Sequence, residues 1–383
     1  MYVAELDRSW LHTPFTGPGF LITQRSQLQA LRRHCNYVYV DPSRSEAGTV
    51  GTPPGVVPIR SASKKAKGNG AGLHEVRTSL RSMLERITAT VQSARRNGQL
   101  NLQMINEAVP DFVGTVTRKT DAVFWFIRTS EDPALLYRRA VGTAAVSVVF
   151  GRHLGLDRTE LEHLAIGGLL MDIGKITVPV PILAKPDHLS PAERLFVEQH
   201  VPRGLAMLQL QSQIPGRVVD MVLGHHERLD GTGYPRQLRG TEIPLFARIA
   251  GIVDTFDALT LNRRYAAAMS ANSALQFLNS LRDIKFDAAL VGELVRALGI
   301  FPTGTRVELI DGSTGLVCEQ NRDWPLRPRV VVTAEANGTP SRSMRVLDTG
   351  AHLHIARALP PDSANIDGEQ LQRAIEDAKA IAC

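Results

Sequence analysis

Side chains able to gather a divalent cation are concentrated between positions 171 and 260. They fall in four groups: Met171-Asp172-Ile173-Gly174-Lys175, then His200, then His225-His226-Glu227-Arg228-Leu229-Asp230-Gly231-Thr232-Gly233-Tyr234-Pro235, and finally Asp254 to Thr260 with Asp257 inside it. Imidazole nitrogens and carboxylates suit divalent metals, and a carboxylate can bridge two ions. Two such ions ~4 Å apart can generate hydroxide at neutral pH and stabilise the in-line displacement of a phosphodiester. Any one of these histidines could equally be a hydrogen-bonded core residue. The groups do chemistry together only if the elements carrying them pack around one point.

Those elements read as helices. Val141, Ala144, Ala145, Val148 and Val149 form an apolar stripe over residues 137 to 153. Asp157 with Glu160 has the form of a capping box for a helix running through Leu161, Leu164, Ala165, Gly168 and Leu169 to Asp172. Ser190 with Glu193 opens another through His200, and further helices are expected over 218–225, 245–259, 271–281 and 287–298. Upstream, residues 1–41 read as a small α/β domain with strands at 2–6, 19–22 and 37–40 around a helix at 26–34; Trp10 and Phe15 are assigned to its core. Residues 42–73, rich in Pro, Gly, Ser and Lys, read as a flexible linker. A helical stem follows at 74–131, interrupted near Pro110. The helical core spans 132–300. A small β appendage spans 301–358, with strands at 306–310, 315–319 and 329–333, and a tail with a helix at 368–382 ends the chain. The fold class is therefore mainly α.

The formal net charge of +6 over 383 residues comes from scattered arginines, and only Lys64, Lys65 and Lys67 form a basic run, in a Gly/Ser-rich context. That pattern suits a solvated segment rather than a nucleic-acid surface. Cys35, Cys318 and Cys383 have neither metal-ligand spacing nor a disulfide framework, which points to a reducing compartment. No apolar run approaches the ~18 residues of a membrane span. The first residues lack the regions of a signal peptide, and a cytoplasmic location is expected.

The order and spacing of the metal-binding groups resemble the HD-GYP family, cyclic-di-GMP phosphodiesterases of the all-α HD hydrolase superfamily. The resemblance runs from about Leu136 to Gly299 and is sharpest in the paired histidine followed by Asp-Gly-Thr-Gly-Tyr-Pro. The N-terminal segment resembles a domain often fused to such modules. By resemblance, Asp172, His200, His225 and His226 would form one metal site, and Asp172 with Asp254 part of another. Lys175, Asp257 and Arg263 would contact the nucleotide, with Asp172 and Lys175 at the reacting centre.

The upstream half departs from the family pattern. Met171 stands where the family has the His of its His-Asp pair, and Arg139 where it has an earlier ligand His. Arginine stays protonated and cannot ligate a cation, and thioether sulfur is a poor match for Mn²⁺ or hard Fe sites. The expectation is an empty first metal site, with Arg139 offsetting Asp172 and Asp254, and one remaining site for Fe or Mn. Ala266 and Val180 also replace family residues, and Arg264 stands where Pro is usual. Three functions follow. The first is a cyclic-di-GMP binding protein with weak or absent hydrolysis. The second is a working phosphodiesterase giving the linear dinucleotide or GMP. The third is a scaffold docking a cyclic-di-GMP synthase or other protein through its Gly-Tyr-Pro surface.

Overall fold

The computed structural model describes residues 2–6, 20–35, 38–41, 56–58, 71–98, 100–129, 138–185, 187–211, 214–260, 268–321, 327–349 and 354–360. Arg263, Arg264, Ala266, Trp10, Phe15 and the expected helix at 368–382 lie outside them. The chain forms two compact units, residues 1–67 with 151–156, and residues 68–150 with 157–383.

In the first unit, β1 (Tyr2–Leu6), β2 (Phe20–Leu21), α1 (Arg25–His34), β3 (Val38–Asp41) and β4 (Val56–Pro58) give a sheet of order β2-β1-β3-β4. Val3, Leu31 and Val38 are its buried centre. β4 falls inside the stretch expected to be linker and pairs parallel to β3. Its two valines favour the extended state that the surrounding Pro and Gly obscure.

The second unit opens with α2 (Ala71–Asn97), α3 (Gln103–Arg118) and α4 (Thr120–Thr129). The expected interruption at Pro110 is absent: α3 runs through it and ends at Lys119. Pro110 is on the exposed face, where water can take the Asn106 carbonyl that the missing N–H leaves free. α5 (Arg138–His153) follows, buried at every position from 141 to 150. Next come α6 (Arg158–Leu170), a 3-10 turn (Ile173–Thr177), α7 (Val180–Leu183), α8 (Pro191–Glu198), α9 (His200–Gln209), α10 (Gly216–Gly224) and α11 (Leu245–Thr260). The helix expected to run through His200 is thus two, and His200 opens the second. Both capping boxes form, with Glu160 N–H donating to Asp157 (2.8 Å) and Glu193 N–H donating to Ser190 (3.2 Å). α10 packs on α6, α9 and α11, which draws together the elements that carry or flank the four chemical groups.

α12 (Ala271–Ser280) and α13 (Ala288–Leu298) complete the helices. β5 (Arg306–Leu309), β6 (Thr314–Glu319), β7 (Arg329–Ala334), β8 (Pro340–Asp348) and β9 (Ile355–Ala358) make an antiparallel sheet of order β8-β7-β6-β5-β9. β8 and β9 were not expected, because Pro-Ser-Arg-Ser and Ile-Ala-Arg-Ala carry little apolar alternation. Trp125 of α4 packs against Leu316, Cys318 and Val331 of this sheet. Among the described residues no helix is long and apolar enough to cross a membrane.

Candidate metal and nucleotide site

Local backbone geometry aims each ligand. α6 ends at Met171, whose N–H donates to the Gly167 carbonyl (2.8 Å), and Asp172 then caps the 3-10 turn. That turn presses on α9 at Gly174. A β-carbon there would fall on the His200 carbonyl oxygen and within 2.6 Å of the Gly204 nitrogen. Only glycine permits that approach, which sets Asp172 and Lys175 beside His200. Met171 itself is buried at 2% exposure, as a core side chain.

His200 and His225 are fully buried. His200 Nδ1 lies 2.7 Å from the Val197 carbonyl, and His225 Nδ1 lies 3.0 Å from that of Val222. A carbonyl only accepts, so each Nδ1 carries the proton, and in the neutral ring Nε2 keeps its lone pair. The two Nε2 atoms stand 3.4 Å apart, and Asp172 Oδ1 is 3.4 Å from one and 3.6 Å from the other. Asp172 Oδ1 and His226 Nε2 are buried without a hydrogen-bond partner. One ligand atom from each of Asp172, His200, His225 and His226 lies within 4.8 Å of the others. Converging lone pairs with no proton between them, and orphaned polar atoms beside them, are what a single divalent cation would satisfy. These residues fit such an ion.

Charge reinforces the fit. Burial works against ionised Asp172, yet Lys175, with Arg139 behind it, holds it well below the usual carboxylate range. Burial, seconded by His225, keeps His226 well below the usual imidazole range and so neutral. The other Asp172 oxygen, Oδ2, accepts from Lys175 Nζ at 2.7 Å.

Asp254 is outside the cluster. Its carboxylate accepts from Arg139 Nη2 at 2.6 Å. Arg139 Nη1 is 3.7 Å from Asp172 Oδ2, and Nε is 3.3 Å from Asp257 Oδ2. One guanidinium therefore lies among three carboxylates. Burial opposes its charge, but Asp254, Asp172 and Asp257 raise its pKa further. Asp257 is pushed up to about 6 by burial and by Asp254, against Arg139 and the Thr143 hydroxyl that donates to it (3.2 Å). It is buried within this network.

The Gly-Tyr-Pro turn borders the histidines. Tyr234 stacks on His226 with centroids 4.5 Å apart and planes at 25°. Buried Glu227 holds the turn by accepting the N–H groups of Arg236 (2.7 Å) and Leu238 (3.0 Å). Sequence reasoning assigned no role to Thr143 or Glu227. The signals were there: Thr143 is one helical turn from Arg139, and Glu227 is an acid beside a glycine-rich turn that needs acceptors.

An HD domain family matches residues 101–290, and a domain of unknown function, DUF3391, matches residues 1–109. The chain is 32% identical over 360 residues to a cyclic di-GMP phosphodiesterase of Pseudomonas aeruginosa, covering 91% of this chain and 86% of that protein. It is 36% identical over 152 residues to a cyclic di-GMP phosphodiesterase response regulator of Xanthomonas campestris, covering 39% of this chain and 40% of the relative. An HDGYP protein from Bdellovibrio bacteriovorus matches in structure with a TM-score of 0.49 at 17% identity, over 61% of this chain and 73% of that one. With an HD domain bearing the His225 to Pro235 motif and an N-terminal DUF3391 domain, the chain belongs to the HD-GYP family.

Proposed function

We propose that this chain is a cyclic-di-GMP signalling protein that binds the nucleotide and hydrolyses it weakly or not at all. The names of its relatives supply the nucleotide. The observation carrying the loss of hydrolysis is Arg139, whose guanidinium lies between Asp172, Asp254 and Asp257. A cation covalently part of the chain stands among the carboxylates that a first metal would need, and it offers no exchangeable water. Asp172, His200, His225 and His226 would hold one Fe or Mn ion. Such an ion, when bound, polarises a phosphoryl oxygen and acidifies a water. Lys175, at the lip of the cluster, can turn from Asp172 to a phosphate oxygen, and Arg139 neutralises the carboxylates that would repel that phosphate. Asp257, spent on Arg139 and Thr143, is withdrawn from the ligand.

The second reading is a working phosphodiesterase, favoured by the intact four-residue cluster. The two are separated by incubating cyclic di-GMP with protein loaded anaerobically with Fe²⁺ or Mn²⁺, alongside calorimetric binding. Binding without linear product over hours is expected. Metal-dependent product that His225→Ala abolishes would establish the second reading.

A further inference from the structure

A histidine that ligates a metal is ordinarily held in plane by a hydrogen bond from its other ring nitrogen. His200 and His225 have that lock through the Val197 and Val222 carbonyls. His226 does not: among the described residues neither of its ring nitrogens makes a hydrogen bond, and its Nε2 is buried. What it has is the face of Tyr234, at 4.5 Å and 25°. On its other sides are the rings of His225, tilted at 4.1 Å, and His200, edge-on at 5.1 Å.

We infer that Tyr234 is the positioning residue for His226, its ring face replacing the missing hydrogen bond and fixing the plane from which His226 can reach a metal shared with Asp172, His200 and His225. The turn is built to hold that ring. Tyr234 N–H donates to the His226 carbonyl (3.3 Å), Glu227 fixes the backbone just beyond it, and Gly233 lies where a β-carbon would be 2.5 Å from the Arg228 nitrogen. His226, Glu227 and Tyr234 thus form one closed turn, and the Gly-Tyr-Pro segment serves the metal site from outside the ligand set. A ring face restrains tilt but leaves in-plane rotation free, so His226 is the ligand most dependent on a packing neighbour.

This inference rests on the metal-site reading above, and its test separates the two. Co²⁺ is titrated into the full-length protein against a competing chelator, and the visible absorption of the bound ion reports its ligand set. Tyr234→Phe keeps the ring and should bind within ~3-fold of the unaltered chain. Tyr234→Leu and Tyr234→Met lose the ring and should weaken binding ~10- to 100-fold, the range for removing a ligand's supporting contact, with a changed spectrum. In a His226→Ala background the same ring deletions should cost nothing further. Melting of the metal-free variants shows whether each is folded. Undiminished affinity in both ring deletions, or an equal loss without His226, overturns the inference while leaving the metal site standing. An unchanged spectrum and affinity in His226→Ala removes the histidine from the ligand set and takes the inference with it.

Discussion

Replacing Arg139 by alanine removes the one guanidinium shared by Asp254 at 2.6 Å, Asp257 at 3.3 Å and Asp172 at 3.7 Å. A unit-charge pair 4 Å apart is worth ~4 kcal/mol at an effective dielectric constant of ~20. Deleting one partner of a buried pair costs ~3–5 kcal/mol, because the other charge is left without compensation. The Arg139 side chain is 33% exposed, so solvent returns part of that, and about 2–3 kcal/mol is expected. The sign of the pH dependence follows from the acids left behind. Asp257 already has a folded pKa of about 6, above its ordinary value, and losing Arg139 raises it further. A carboxyl raised in the folded state costs stability as pH climbs through its window. The deficit should therefore be larger at pH 8 than at pH 5. Urea unfolding with chelator present measures both, and millimolar Mn²⁺ should recover part of the loss by entering between the carboxylates. A deficit under ~0.5 kcal/mol at both pH values would refute the view that Arg139 does a cation's work.

Arg139→His combined with Met171→His should raise bound Mn²⁺ or Fe²⁺ from one ion to two per chain by elemental analysis, with some gain in cyclic-di-GMP turnover. Metal without turnover would place the remaining defect at other altered positions, such as Val180 or Ala266. Gly174→Ala sets a β-carbon on the His200 carbonyl, so both metal uptake and the melting temperature should fall; unchanged values would deny that contact. In the unaltered chain, Asp257 should lower stability by ~3 kcal/mol in total as pH rises from about 4 to about 6, since its folded form keeps a proton that the unfolded form has lost. Asp172, shifted the other way, gives stability that is lost only as pH falls below the ordinary aspartate range, so the two windows do not overlap. Asp257→Asn should flatten the slope between pH 4 and 6 in urea titrations.

The helical framework was legible where local chemistry decides it. Asp157 with Glu160 and Ser190 with Glu193 announce helix starts because their hydrogen bonds close within four residues. The candidate metal ligands were legible as types, since few other combinations put a paired histidine before a glycine-rich turn. Long-range consequences were not. Pro110 reads as a break, and its tolerance depends on the exposed face to which α3 assigns it. The division at Gln199 places His200 at a helix start, a matter of how α9 meets Gly174 rather than of propensity. β8 is polar along much of its length and exists by pairing with β7. The family resemblance implies that Asp257 contacts the nucleotide; what it could not convey is that the Asp257 carboxylate meets Thr143 and Arg139, partners more than a hundred positions upstream.

On the proposed reading, Arg139 stands in for a first metal and preserves the packing around it. Asp172, just past α6, and Asp254, on α11, meet the same guanidinium. Without a cation the two carboxylates would repel. A guanidinium supplies one positive charge where a metal supplies two, and adds planar donors that reach Asp254, Asp257 and Asp172 together. It cannot dissociate, so on that reading packing there does not depend on metal supply. Nor can it bind or ionise a water. On the proposed reading, Arg139 keeps the electrostatic support of a first metal position without its chemistry, while Asp172 Oδ1, 3.4 Å from His200 Nε2 and 3.6 Å from His225 Nε2, would serve the second.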